Sequence, residues 1–368
     1  MVPFRSGMVV VGPNFCGREQ EIGRLRAHIS RCARVCMIGE RRIGKTSLVH
    51  ETVRRLRGHS LVFIDLLGVK TVDDVVRRIV DGIFSSATDS TFTRLARSFA
   101  ALRPIVGVDP VTNMPTLSMA PGVQPLPDTL ENALDYLSRL KNTVVLFDEF
   151  QALLSLPQEE QTDIIARMRS RIQLQADTPY MFAGSVRGDL DRMFFDHSSP
   201  FYKTAVRFEL GPLTRAEFAP FLQEGFSQGN RSTDADLLAH LFDVCHDVPG
   251  DVQRLCQCLW DETSSGDHVG PDAIPRALQR LFSDEERAYA ILLENITAQQ
   301  LKCLRALAAV GGAASLGGEF LASTGIAANS SVQRALNSLV KKRILFRDEK
   351  RYRYCDPFFG EWIKHRRL

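Results

Sequence analysis

The sequence predicts an α/β fold, a parallel sheet with helices on both faces, followed by a helical region and a C-terminal winged helix-turn-helix. Three observations predict it. Five short apolar runs of strand length are separated by stretches of helical spacing, the pattern of strands buried on both faces. A two-glycine loop joins the first run to a helix, and after Pro212 amphipathic helices replace the strand pattern.

The first run, Val35 to Ile38, leads into Gly39-Glu40-Arg41-Arg42-Ile43-Gly44-Lys45-Thr46, and Thr46, Leu48, Val49, Val53 and Leu56 then carry helical spacing. Two glycines five apart, followed by Lys and Thr between a strand and a helix, form the pattern of a phosphate-binding loop. The alternative is a chance glycine-rich turn, against which the flanking strand and helix argue. Gly39 and Gly44 let the backbone bend so that successive N–H groups face inward, and the helix beginning near Lys45 adds its positive end. Lys45 is placed to reach β- and γ-phosphates, and the Thr46 hydroxyl to bind Mg²⁺.

The second strand is Leu61 to Asp65, the third Thr143 to Phe147, the fourth Tyr180 to Gly184 and the fifth Ala205 to Leu210. Residues 104–127 interrupt the pattern with Pro104, Pro110, Pro115, Pro121, Pro125 and Pro127. That density suits neither a helix nor a central strand, so the segment reads as an insertion, with Ile105 to Val108 and Thr116 to Met119 able to pair as an edge hairpin.

From Pro212, Thr214 and Glu217 read as a helix N-cap with its acidic partner. Leu237, Leu238, Leu241, Phe242 and Cys245 mark a second helix, and Val252, Leu255, Cys256 and Leu259 a third. The loop Thr263 to Pro271 marks a boundary, after which a long helical stretch runs to about Val310. A helix beginning at Ser331, then Ile344 to Phe346 and Tyr352 to Tyr354 around the turn Asp348-Glu349-Lys350, give the winged helix and a short β-rich end. The expected domains are 1–211, α/β; 212–270, helical lid; and 271–368, linker helix and winged helix.

With 368 residues, 44% hydrophobic and 24% charged, the chain is too long for one small module. The net charge of +3 does not by itself announce a nucleic-acid partner. From Lys341 to Leu368, however, ten Lys and Arg face four acids, a local +6. No apolar run reaches membrane-span length and the start lacks the pattern of a signal peptide, so a cytoplasmic protein without membrane contact is expected. The eight cysteines form no CxxC pair and read as reduced; Cys256, Cys258 and His246 do not have zinc-site spacing.

Asp148-Glu149 at the end of the third strand completes the nucleotide reading. In phosphate-loop ATPases the aspartate holds Mg²⁺ and the next glutamate polarises the attacking water. Two adjacent acids also suit a solvated turn, but the loop upstream favours chemistry. Ser185, at the end of the fourth strand, either orients the water or caps the next helix.

Phe15-Cys16-Gly17-Arg18-Glu19-Gln20-Glu21, the loop Gly39 to Ser47, Asp148-Glu149-Phe150-Gln151, Ala183-Gly184-Ser185 and Ser199-Pro200-Phe201-Tyr202 together resemble the archaeal-type ATPase family of the AAA+/STAND group. The resemblance implies a P-loop NTPase sheet of order 5-1-4-3-2, a helical lid, ATP and Mg²⁺ as ligands, and ATP hydrolysis used as a conformational switch. It makes Asp148 and Glu149 Walker B and Ser185 sensor 1, and lines the adenine pocket partly with Phe15 to Arg18. Two places depart from the family. Lys203 and Thr204 stand where an arginine commonly follows the tyrosine, with Arg207 farther on. In the lid, Pro249-Gly250-Asp251-Val252-Gln253-Arg254 puts Gln253 at the sensor 2 arginine, leaving Arg254 as a substitute or as a salt-bridged helix residue. Arg334, Asn337 and Lys341 fall on one face of the winged-helix recognition helix, and with the wing Arg347 to Arg353 they suit double-stranded DNA through 331–353. A protein partner or a homo-oligomer is the alternative, in a signalling or assembly ATPase.

Overall fold

Five parallel strands form the main sheet: β1 (Arg34–Ile38), β2 (Ser60–Asp65), β5 (Thr143–Asp148), β6 (Tyr180–Gly184) and β7 (Val206–Glu209); the central β1, β5 and β6 are apolar and buried almost throughout, while the edge strand β7 exposes all but Phe208. The computed structural model describes residues 3–86, 104–108, 115–119, 129–185, 187–348 and 351–366. By contacts the chain divides into two compact units, Val9–Gly211 and Met1–Met8 together with Pro212–Leu368.

In the first unit the strands alternate with α1 (Glu19–Ser30), α2 (Lys45–Arg55), α3 (Val72–Ser85), α4 (Thr129–Arg139), α5 (Gln158–Leu174) and α6 (Arg187–Phe195). The sheet order is β2-β5-β6-β1-β7, with every pairing parallel. Counting these five strands along the chain, the order read from the β7 edge is 5-1-4-3-2, as the resemblance implies. Strand alternation divides the core in two. Val144, Leu146, Met37, Met181 and Ala183 pack with Ile22, Leu25, Leu48 and Val49 of α1 and α2. Val145, Phe147, Ile38 and Ile64 pack with Ile79, Ile83, Leu134 and Met168 of α3, α4 and α5 on the other face. Each such side chain contributes about 1.5–3 kcal/mol of burial. The N-terminus of α3 is fixed by a reciprocal cap between Thr71 and Asp74.

Within the insertion, β3 (Pro104–Val108) and β4 (Pro115–Met119) pair antiparallel. They form a separate two-stranded sheet and not an edge of the main one. The insertion's other residues, 109–114 and 120–127, lie outside the described residues, as do Glu349 and Lys350 of the predicted turn.

The second unit contains α7 (Arg215–Ser227), β8 (Ser232–Thr233), α8 (Ala235–Val244), α9 (Pro249–Asp261), β9 (His268–Val269), α10 (Ile274–Glu294), α11 (Ala298–Ala309), β10 (Ala313–Ser315), α12 (Gly318–Ser323), α13 (Asn329–Lys341), β11 (Leu345–Asp348), β12 (Arg351–Tyr354) and α14 (Pro357–His365). The Thr214 side chain caps α7 by accepting from the Glu217 N–H, as its spacing predicts. The long helical stretch is two helices, because Thr297 and Gln300 form a capping box that starts α11 afresh. The helix expected at Ser331 begins two residues earlier, at Asn329.

The C-terminal end is not simply β-rich. Asp356 accepts from the Phe358 N–H at 3.1 Å and starts α14, whose Phe359, Trp362 and Ile363 complete the winged-helix core with Leu304, Leu307, Leu336 and Leu339. The short β10 adds a third strand to the wing, in the antiparallel order β10-β12-β11.

Candidate nucleotide-binding site

The loop between β1 and α2 is shaped by what a side chain would strike. A Cβ on Gly39 would lie 2.6 Å from the Leu210 carbonyl oxygen, so only glycine lets the loop leave β1 against the chain after β7. Gly44 has φ +99°, a conformation glycine adopts without strain, and turns the chain into α2. Ile43 is buried in the core and anchors the loop between them, while Arg41 and Arg42 are exposed. Arg18, itself buried, donates to Ile43 O at 3.3 Å and to Gly211 O at 2.6 Å, clasping the loop to the end of the unit.

Lys45 is 6% exposed and its ammonium donates to Gly39 O and Glu40 O, both at 2.8 Å. Burial pushes its pKa down to about 8, against the nearby charges of Glu149 and Asp148. Thr46 Oγ1 donates to Asp148 Oδ2 at 2.5 Å, joining the start of α2 to the end of β5. The Asp148 carboxyl is raised above its ordinary value, chiefly by burial. The next residue, Glu149, has φ +51° and turns the chain into a 3-10 helix over Phe150–Ser155. Its Oε2 accepts from Ser185 Oγ at 3.0 Å and also from Gln151 Nε2. Ser185 is thereby joined to the carboxylate of Glu149.

Ser47 and Glu51, farther along α2, hold the chain that precedes α1: Val10 N–H donates to Ser47 Oγ at 3.1 Å and Gly12 N–H to Glu51 at 2.8 Å. Phe15 is half-buried against the α1 and α2 side of the core. The remaining candidates are engaged elsewhere. Arg207 pairs with Asp191 at 3.0 Å and Glu209 at 2.8 Å, and Lys203 lies over the Tyr202 ring. Arg254 pairs with Glu285 of α10, inside its own unit, the salt-bridged alternative.

The sequence reading gave no role to Gln151, and none to Arg18 beyond the adenine segment. Gln151 stands in the quoted Asp-Glu-Phe-Gln segment, and Arg18 in the Phe15 to Glu21 segment. Arg18's partner Gly211 is far along the chain, and Gln151, though only two residues from its partner Glu149, shares that carboxylate oxygen with the distant Ser185.

Residues 14–179 match the family model for an AAA ATPase domain, and residues 287–365 match one described as "Probable winged helix domain". The chain carries an AAA ATPase domain and a winged helix domain. The AAA ATPase domain match contains the loop at Gly39 to Thr46 and the Asp148-Glu149 strand end. No curated protein matches the chain. Among solved structures, it is similar to the Walker-type ATPase PABY2304 of Pyrococcus abyssi, at TM-score 0.66 and 18% identity, over 95% of this chain and 96% of that one. It is also similar to the ORC1 protein of Aeropyrum pernix, solved in complex with DNA, at TM-score 0.51 and 14% identity, over 95% and 92%. At these identities the likeness is one of fold. Among the described residues no helix is long and apolar enough to cross a membrane.

Proposed function

We propose that the chain binds and hydrolyses ATP and uses the cycle as a conformational switch, with duplex DNA as the partner of its winged helix. The observation that carries the enzymatic part is the convergence of Lys45, Thr46, Asp148 and Glu149 at the ends of β1 and β5. The Thr46 hydroxyl and Asp148 carboxylate lie side by side and are the hard oxygen donors that Mg²⁺ takes, so these two residues fit the ion. When bound, Mg²⁺ would neutralise developing phosphate charge. Lys45 supplies a cation to the phosphates, and the inward loop N–H groups bind and orient them. Glu149 orients the attacking water and takes its proton, while Ser185 holds one oxygen of that carboxylate.

The DNA part rests on the winged helix. Gln333, Arg334, Asn337, Lys341 and Arg343 are exposed at α13, with Arg347 and Arg351 exposed on the wing. Tyr352 donates to Asn337 at 3.2 Å and steadies it beside the wing. The fold similarity to a protein solved with DNA makes duplex DNA the first partner to test.

The test is ATP turnover by the full chain and by Glu149→Gln, with and without duplex DNA. Glu149→Gln should keep nucleotide binding and lose turnover; unchanged hydrolysis would show that Glu149 is not the base. DNA binding should weaken as salt rises, and Lys341→Ala with Arg343→Ala should flatten the log–log slope by about 2 units. Absence of DNA binding at low salt would remove that partner and leave the signalling or assembly reading, in which the winged helix contacts protein.

A further inference from the structure

Gln151 is 4% exposed and sits two residues past the proposed base. Its Nε2 donates to Glu149 Oε2, the same oxygen that receives Ser185 Oγ at 3.0 Å. Its own Oε1 is buried without a hydrogen-bond partner. A buried polar atom left unpaired calls for a reason. Here the other end of the amide is committed to Glu149.

The placement is built by the surroundings. Phe150, one residue earlier, is locked in an aromatic cluster with Phe182 at 4.8 Å, Phe201 at 5.6 Å and Phe194 at 5.7 Å. That anchor fixes the 3-10 turn on which Gln151 stands. Across from it, a Cβ on Gly184 would fall 1.9 Å from Gln151 Oε1, so the bare α-carbon at the end of β6 makes the space the amide occupies. The two donors differ in kind. The Ser185 hydroxyl can rotate and can accept as well as donate, whereas the amide NH₂ only donates. Gln151 is thus the fixed donor to Oε2, which leaves Oε1 of Glu149 to take a proton.

Resting on the proposal that Glu149 is the base, we propose that Gln151 is a positioning residue for ATP hydrolysis: its amide and Ser185 pin one carboxylate oxygen of Glu149, and Gly184 makes room for that amide.

The experiment uses the full chain with two variants beside wild type and Glu149→Gln. Gln151→Met keeps the bulk and removes the donor. It should lower kcat by about 10- to 100-fold, leave KM and the affinity for a fluorescent ATP analogue within about twofold, and leave the melting temperature unchanged or raised. Gln151→Glu should be impaired at pH 8, where the new carboxylate repels Glu149. Its kcat relative to wild type should recover as the pH is lowered toward 6, where the new carboxyl is protonated and donates as the amide does. Wild-type kcat in Gln151→Met, a parallel loss of kcat, nucleotide affinity and melting temperature, or a Gln151→Glu pH profile identical to wild type would each overturn the proposal. If Glu149→Gln turns over ATP like wild type, or wild type itself does not hydrolyse ATP, the underlying reading fails with it. If Glu149→Gln is inactive while Gln151→Met is not impaired, only the role of Gln151 fails.

Discussion

Glu51→Gln tests how the chain ahead of α1 is tied to the phosphate-loop helix. Glu51 is wholly buried, and its carboxylate accepts from Gly12 N–H at 2.8 Å, Arg54 Nε at 2.8 Å, Arg54 Nη2 at 2.7 Å and Arg55 Nε at 2.6 Å. The Arg54 hydrogen bond leads the effects that bring its carboxyl from 4.5 down to about 2, against an opposing burial penalty. A depression of that size corresponds to about 3 kcal/mol at neutral pH. Both arginines reach the surface, so water screening brings the expected cost of Glu51→Gln to about 1–2 kcal/mol. For a unit of this length that is a fall in Tm of roughly 2–8 °C. Because the folded pKa is depressed, the contribution is complete above the unfolded value of 4.5 and is lost as pH falls toward 2. Calorimetry of both proteins should therefore show the full gap at pH 7 and about half of it at pH 3. Equal melting at pH 7, or a gap of the same size at pH 3, would refute the reasoning.

Two further outcomes follow from close contacts. Lys45→Ala should lose both nucleotide binding and turnover, and full affinity for a fluorescent ATP analogue would sink the phosphate-loop assignment. Gly82→Ala on α3 brings a Cβ to 2.6 Å from the Phe63 carbonyl oxygen and 2.8 Å from an Ile64 side-chain carbon. Overpacking of about 1–3 kcal/mol should outweigh the helix preference for alanine of about 1 kcal/mol, so thermal denaturation should show a lower Tm; a raised Tm would show that α3 gives way.

The parallel sheet was legible because strands buried on both faces are written as continuous apolar runs, and the loop because its glycines, lysine and threonine are adjacent in sequence. What stayed hidden depends on distant residues. Ser185 meets Glu149 across 36 positions, and Arg18 meets Gly211 across 193. No spacing rule reaches that far. Other misses were local. Asp356-Pro357 is a helix-start signal, but the tyrosines just before it carry strand spacing, so the end of the chain reads as β-rich where the structure has α14. Thr297 and Gln300 are a cap written in the sequence, inside a run whose helical spacing continued on both sides.

The grouping of Met1–Met8 with Pro212–Leu368 makes the second unit discontinuous in sequence. Phe4 packs against Phe226 at 4.7 Å and Trp260 at 6.1 Å, over a Gly225 whose missing side chain admits its ring, and Arg5 and Ser6 bond Gln253 and Gln257. A protease that nicked the chain near Gly211 would leave the two units still covalently joined through Met8 and Val9. Release of either one takes two cuts, and a fragment begun at Pro212 would leave the aromatic faces of Phe226 and Trp260 without Phe4. An expression design that divides the protein has to carry the first eight residues across to the C-terminal piece.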